Sequence, residues 1–180
     1  NSCMELAAFT PFAPGTKVRF CFRGHGHSAT APADRYTFED YAADLRAVVL
    51  AGDGPSFSAG ADIAWMRAAM SLDVEGNEQD AMAMADTFEL IDTCPAPIIA
   101  RVHGAALGGG MGLCAVSDLV IAESGTKFGF TETRLGILPA VISPFVIAKI
   151  GESHARALFP SGRRFDATRA ARIGLVHEIV

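Results

Sequence analysis

RVHGAALGGGMG, residues 101–112, decides how the chain is read. An apolar, β-like approach over residues 97–102 runs into Gly108, Gly109 and Gly110 and then into an apolar, helix-competent stretch over residues 111–116. Three glycines at a strand-to-helix junction leave backbone N–H groups uncovered by side chains, and the helix N-terminus adds partial positive charge at the same spot. Such a junction suits an anion, either a phosphate or a developing oxyanion. Leu113 stands where G-x-G-x-x-G needs its third glycine, and no Gly-Lys-Ser/Thr follows, so neither the dinucleotide fingerprint nor the P-loop fits. The oxyanion reading is the better one. Its plain alternative is a tight turn under a packed helix.

A second glycine loop precedes this one. The run RAVVLAG, residues 46–52, suits a strand buried on both faces, and DGPSFSAG, residues 53–60, leads into a helix over residues 61–72 with Ile63, Met66, Ala69 and Met70 on one side. Gly76 and Asn77 separate it from a helix over residues 78–93, whose apolar face is Met82, Ala85, Phe88, Leu90 and Ile91 and which stops before Cys94-Pro95. The strand 97–102, the glycine junction and its helix, and a strand over residues 118–122 complete the pattern. Strands alternating with helices indicate an α/β fold with a mainly parallel sheet flanked by helices, and they put both glycine loops at strand C-terminal ends, where ligands bind in open sheets.

The remaining segments are simpler. Residues 17–22 (KVRFCF) alternate like a strand, and Thr37 caps a helix over 38–45. Residues 127–136 are an irregular connection, Ser143 caps a helix over 144–150 ended by Gly151, and a short helix covers 152–159. Asp166 caps a helix over 167–173 closed by Gly174, and residues 175–180 are strand-like.

Half of the 180 residues are hydrophobic, enough for one sizeable core and a single domain over 1–180. A net charge of −5 without any basic run excludes a nucleic-acid groove. Residues 104–116, the longest uncharged apolar stretch in the middle, fall short of a membrane span, and NSCMELAAF lacks the basic start of a secretory signal. Cys3, Cys21, Cys94 and Cys114 form no C-x-x-C pair and read as buried, reduced thiols of a cytoplasmic protein; GHGH, residues 24–27, reads as a solvated loop, so no metal site is expected.

Two glycine loops can aim two backbone N–H groups at one carbonyl oxygen, each donor worth roughly 3–4 kcal/mol when charge develops there. The chemistry then needs an acid or base. Most carboxylates fall at helix caps or polar faces, but Glu132 sits between Phe128 and Phe130 on one side and Leu135 to Leu138 on the other. Apolar surroundings disfavour its charged form and suit it to proton transfer near neutral pH. The competing reading is a surface pair with Arg134 or a helix-cap interaction. No G-x-S-x-G elbow exists, so a triad of Ser58 or Ser143 with His103 is not supported.

The segment FSAGADI (57–63), the segment PIIARVHGAALGGG (97–110), Asp118, Phe128-Gly129, Glu132, Leu135-Gly136, Pro139 and a closing GLV (174–176) resemble the enoyl-CoA hydratase/isomerase (crotonase) superfamily from about residue 46 to residue 180. The resemblance implies a superhelix of ββα turns, an acyl-CoA thioester substrate that brings its own coenzyme A with no tightly bound cofactor, and a homo-oligomer, trimer or hexamer. It maps oxyanion donors onto Ala61 and Gly109 and a catalytic glutamate onto Glu132. Coenzyme A binding falls on Ala59, Gly60, Asp62, Ile63, Leu107 and Gly108. Trp65 and the methionines are then either core or the lining of an acyl pocket. The family's first acid falls on Gly112, which has no side chain, so in kcat/KM at equal fold stability Gly112→Ala is expected to be mild and Gly109→Val severe.

Within the family, GMGL and FTETRLGILPAVISPFV look most like bacterial methylglutaconyl-CoA hydratases. Enoyl-CoA isomerases also lack the first acid, and a catalytically impaired thioester-binding scaffold is a third expectation. Residues 1–44 do not resemble the family's usual start, and the chain ends where the family's C-terminal helical segment would begin.

Overall fold

The computed structural model describes residues 3–6, 16–21 and 47–180. The GHGH loop and the helix expected over 38–45 lie outside these residues.

Three β-branched or aliphatic runs build the centre. Strands β3 (Val48–Gly52), β4 (Ile98–Val102) and β6 (Leu119–Ala122) are parallel neighbours, with Leu50 opposite Ala100 and Ala100 opposite Val120. Strands β1 (Cys3–Leu6) and β2 (Thr16–Cys21) add antiparallel at the β3 side, and β9 (Glu178–Ile179) adds parallel to β6, giving the order β1-β2-β3-β4-β6-β9. A smaller sheet runs β5 (Ala105–Leu107), β7 (Lys127–Gly129), β8 (Phe165–Asp166), and Ser58 extends it by a parallel bridge to Ala106.

The chain therefore winds through repeated ββα turns. Each turn takes one strand in the large sheet, one strand or bridge in the small sheet, then a helix: β3, Ser58 and α1 (Ile63–Ala69) with α2 (Val74–Asp92); β4, β5 and α3 (Gly109–Ala115); β6, β7 and α4 (Ser143–Ile150). Helices α5 (Glu152–Leu158) and α6 (Ala167–Arg172) follow. The core between sheets and helices includes Phe57, Phe88, Met111, Leu113, Phe128, Phe130, Val146 and Leu175. Every residue of α3 after its first is buried, which requires the small and apolar composition of that helix.

Several expected boundaries move. Gly76 and Asn77 do not break a helix, because Asp73 caps one starting earlier by accepting the Gly76 N–H at 2.8 Å, and α2 runs through both. On α2 the buried face is Phe88 and Ile91; Met82 and Leu90 are exposed, as is Met70 beyond α1. Ser143 is no cap: Ile142 holds that position, and the Ser143 hydroxyl donates back to the Pro139 carbonyl at 2.6 Å. The connection over 127–136 contains β7 and a 3₁₀ turn, Glu132–Leu135, ended by Gly136 at φ 76°. Asp166 does cap its helix, accepting the Arg169 N–H at 2.8 Å. Among the described residues no helix is long and apolar enough to cross a membrane, and no group of His, Cys, Asp or Glu is arranged to hold a metal ion.

Candidate active site

The two glycine loops are laced together by main-chain bonds. Phe57 N–H donates to the His103 carbonyl (2.9 Å), Ser58 N–H to Ala105 (3.0 Å), and Leu107 N–H back to Ser58 (2.9 Å). This ladder fixes the first loop against β5, so that the turn after Ser58 lies beside the turn after Leu107. Gly60 (φ 105°) and Gly108 (φ 52°) both have left-handed backbone that strains any other residue. A Cβ on Gly60 would stand 3.3 Å from the Leu107 carbonyl oxygen and 3.9 Å from the Gly109 nitrogen. Gly108 N–H is held by the Gly129 carbonyl at 3.0 Å, which ties the junction to β7 as well.

Glu132 closes the cluster. A Cβ on Gly108 would lie 3.3 Å from Glu132 Oε1 and 3.6 Å from the Gly60 Cα, so the carboxyl and both glycine turns share one small volume. The Glu132 carbonyl accepts the Ile137 N–H at 3.2 Å, which anchors the residue from its backbone and leaves the carboxyl free to face the glycines. Its Oε2 is buried with no hydrogen-bond partner. Burial holds the carboxyl above its ordinary range, opposed by a hydrogen bond from its own backbone. The surface pairing with Arg134 does not form; Arg134 Nε donates instead to the Gly162 carbonyl at 2.8 Å.

The other expected positions fall as follows. Ala61 follows Gly60 directly and is half-buried, whereas Ala59 is exposed. Asp62 caps α1, its carboxylate accepting the Trp65 N–H at 2.9 Å, and Ile63 opens that helix. Leu107 is buried at the end of β5. Trp65 is half-buried and donates from its indole to Asp80 at 3.2 Å. No serine triad assembles: His103 Nε2 bonds the Gly54 carbonyl (2.8 Å), Ser143 the Pro139 carbonyl, and the Ser58 hydroxyl accepts the Gly60 N–H at 3.4 Å. Cys114 is encased, which pushes its thiol up to about 12 and makes it inert as a nucleophile.

One feature escaped the sequence. Gly112 is a close-packing residue: a Cβ there would come 2.5 Å from Ile142 Cγ2 and 2.7 Å from Phe88 Cε1. Only the three-dimensional approach of α2 and α4 to α3 reveals it.

The arrangement defines a class: an α/β protein in which one desolvated carboxyl opposes glycine-lined backbone at a strand-to-helix junction. The pattern of the enoyl-CoA hydratase/isomerase family matches residues 36–180, and the chain belongs to that family. A Thermus thermophilus protein named as an enoyl-CoA hydratase is 37% identical over 143 residues, 78% of this chain and 56% of the relative. Crystal structures of an enoyl-CoA hydratase/isomerase (crotonase) from Legionella pneumophila and an enoyl-CoA hydratase from Shewanella pealeana each superpose with TM-score 0.75, at 43% and 37% identity, over 79% of this chain and 56% and 55% of theirs. The fold is the α/β crotonase fold. The chain spans about half the length of these relatives.

Proposed function

We propose that the protein acts on acyl-CoA thioesters, adding water reversibly across the double bond of a 2-enoyl-CoA through an enolate. The observation that carries this reading is the buried, unpartnered Glu132 oxygen beside the Gly60 and Gly108 turns. In this scheme the N–H groups of Ala61 and Gly109 receive the thioester oxygen as charge develops on it, each contributing roughly 3–4 kcal/mol. Glu132 takes a proton from water as the oxygen attacks C3, and a proton is then delivered to C2. The backbone around Ala59, Gly60, Asp62, Ile63, Leu107 and Gly108 holds the coenzyme A portion. The acyl group in this proposal is a branched methylglutaconyl type, supported by the likeness of GMGL and FTETRLGILPAVISPFV to bacterial hydratases of that branch.

The absence of a side chain at Gly112 favours a second reading, Δ3,Δ2-enoyl-CoA isomerisation, in which one carboxylate takes a proton from C2 and returns it to C4. Incubation with 2-enoyl- and 3-enoyl-CoA in heavy-oxygen water separates the two. Label in a 3-hydroxyacyl product means hydration, conjugation without label means isomerisation, and no turnover of either thioester refutes the proposal. A trimeric or hexameric assembly belongs to the same reading; it is supported by exposed Leu135 and Leu138 next to the site and is tested by sedimentation.

A further inference from the structure

Gly112 lies one helical turn beyond Gly108, which itself faces Glu132. Helical Cα–Cβ bonds tilt toward the N-terminus, so a side chain at position 112 would reach back toward Gly108 and the Glu132 carboxyl. A second proton-transferring group would enter the site along that line. The space is already filled. Phe88 from α2 and Ile142 ahead of α4 meet over Gly112, at 2.5 Å (Ile142 Cγ2), 2.7 Å (Phe88 Cε1) and 2.9 Å (Phe88 Cζ) from where a Cβ would stand. Neither can swing out, since Phe88 is fully buried, Ile142 is 3% exposed, and the Phe88 ring rests on Phe145 with centroids 5.9 Å apart. The filling material is wholly apolar, so it neither stores a proton nor orders a water.

We infer that Phe88 and Ile142 are specificity-determining residues, an apolar plug that denies position 112 a side chain and confines turnover to the Glu132 carboxyl alone. This rests on the proposed thioester chemistry. The balance closes with one group: Glu132 takes a proton from water while the C3–O bond forms and the C2=C3 pair moves onto the thioester oxygen. The resulting acid returns that same proton to C2 as the enolate collapses. For isomerisation of a 3-enoyl-CoA, Glu132 takes the proton from C2, the C2–H pair moves onto the thioester oxygen to give a dienolate, and the same proton returns to C4 as the C2=C3 bond forms.

The test is the pH profile of kcat/KM for the enoyl-CoA that the protein turns over. A single carboxyl gives one limb, with activity falling as pH drops through the Glu132 ionisation and level above it; a separate essential acid gives a bell. Opening the plug is the second arm. Gly112→Glu combined with Phe88→Leu and Ile142→Ala is expected to add a second limb and to raise the hydration-to-isomerisation ratio by at least about tenfold, the low end of what a placed acid contributes being a hundredfold. A bell in the unmodified protein overturns the inference, as does a folded triple variant with an unchanged profile and ratio. If the triple variant does not fold, the unmodified profile decides. Absence of any turnover would refute the thioester reading and this inference together, whereas turnover with a bell removes this inference only.

Discussion

Replacing Gly112 by alanine tests the packing described above most sharply, because two opposing effects have known sizes. Alanine in a helix interior is favoured over glycine by about 1 kcal/mol. Against this, the new methyl would stand 2.5 Å from Ile142 Cγ2 and 2.7 Å from Phe88 Cε1, both buried and braced. Overpacking of a tight core costs about 1–3 kcal/mol, and contacts this short on two sides call for the upper end. The net expectation is a loss of about 2 kcal/mol, or about 4–8 °C in Tm for a chain of this size. The mild effect expected from sequence concerns kcat/KM at equal fold stability and is a separate quantity from this loss. Thermal and urea unfolding of the two proteins measure it, and Ile142→Ala made together with Gly112→Ala should recover part of the loss, as contacting positions couple. An unchanged or raised Tm, or strictly additive effects in the double variant, would refute the reasoning.

Gly109→Val, compared at equal fold stability, should lower kcat/KM by at least about a hundredfold if its N–H receives the thioester oxygen, the scale of losing one preorganised donor. Glu132→Gln should raise stability at neutral pH, because a carboxyl whose folded pKa is raised destabilises the fold increasingly as pH rises from the unfolded pKa to the folded one; the gain should vanish below about pH 4, near the unfolded carboxyl range. His177 Nδ1 accepts the Val120 N–H at 2.8 Å and therefore must be neutral, and burial, aided by the Lys149 charge, holds its pKa below the ordinary value. Its contribution is present above the unfolded pKa and lost as pH falls through the lower, folded one. Urea midpoints should thus drop in mild acid and flatten in His177→Asn, which keeps an acceptor. Lys149→Met should cost about 1–3 kcal/mol in urea unfolding by stranding the buried Ser117's carbonyl, to which Lys149 Nζ donates at 2.6 Å.

The parallel strands were legible because β3, β4 and β6 are short, mostly aliphatic runs bounded by glycine, proline or aspartate; burial on both faces, expected for the first of them, is not met, since only alternate residues are fully buried and Arg101 in β4 is exposed. The glycine junction was legible because left-handed backbone at Gly60 and Gly108 admits almost nothing else. Glu132 could be singled out by its apolar neighbours in sequence, of which Phe128 and Phe130 are buried while Leu135, Ile137 and Leu138 are exposed. What failed depended on tertiary choices. Asp73 and Gly76 form a cap only because the chain enters α2 at that angle, and Met82 and Leu90 turn outward because the core is reached through Phe88 and Ile91. Ser143 resembled a cap in sequence but bonds backward to Pro139, a choice between two local acceptors that residue type does not settle. The plug over Gly112 joins α2, α3 and the residue ahead of α4, so no local pattern encodes it.

The claim at the centre is that the desolvated Glu132 carboxyl performs the proton transfers on a CoA thioester. Glu132→Gln keeps the shape and removes the ionisation, so kcat/KM for the enoyl-CoA turned over measures it directly. A fall of about 10²–10⁴-fold with the fold intact is the predicted result. Activity within a few-fold of the unmodified protein would contradict it.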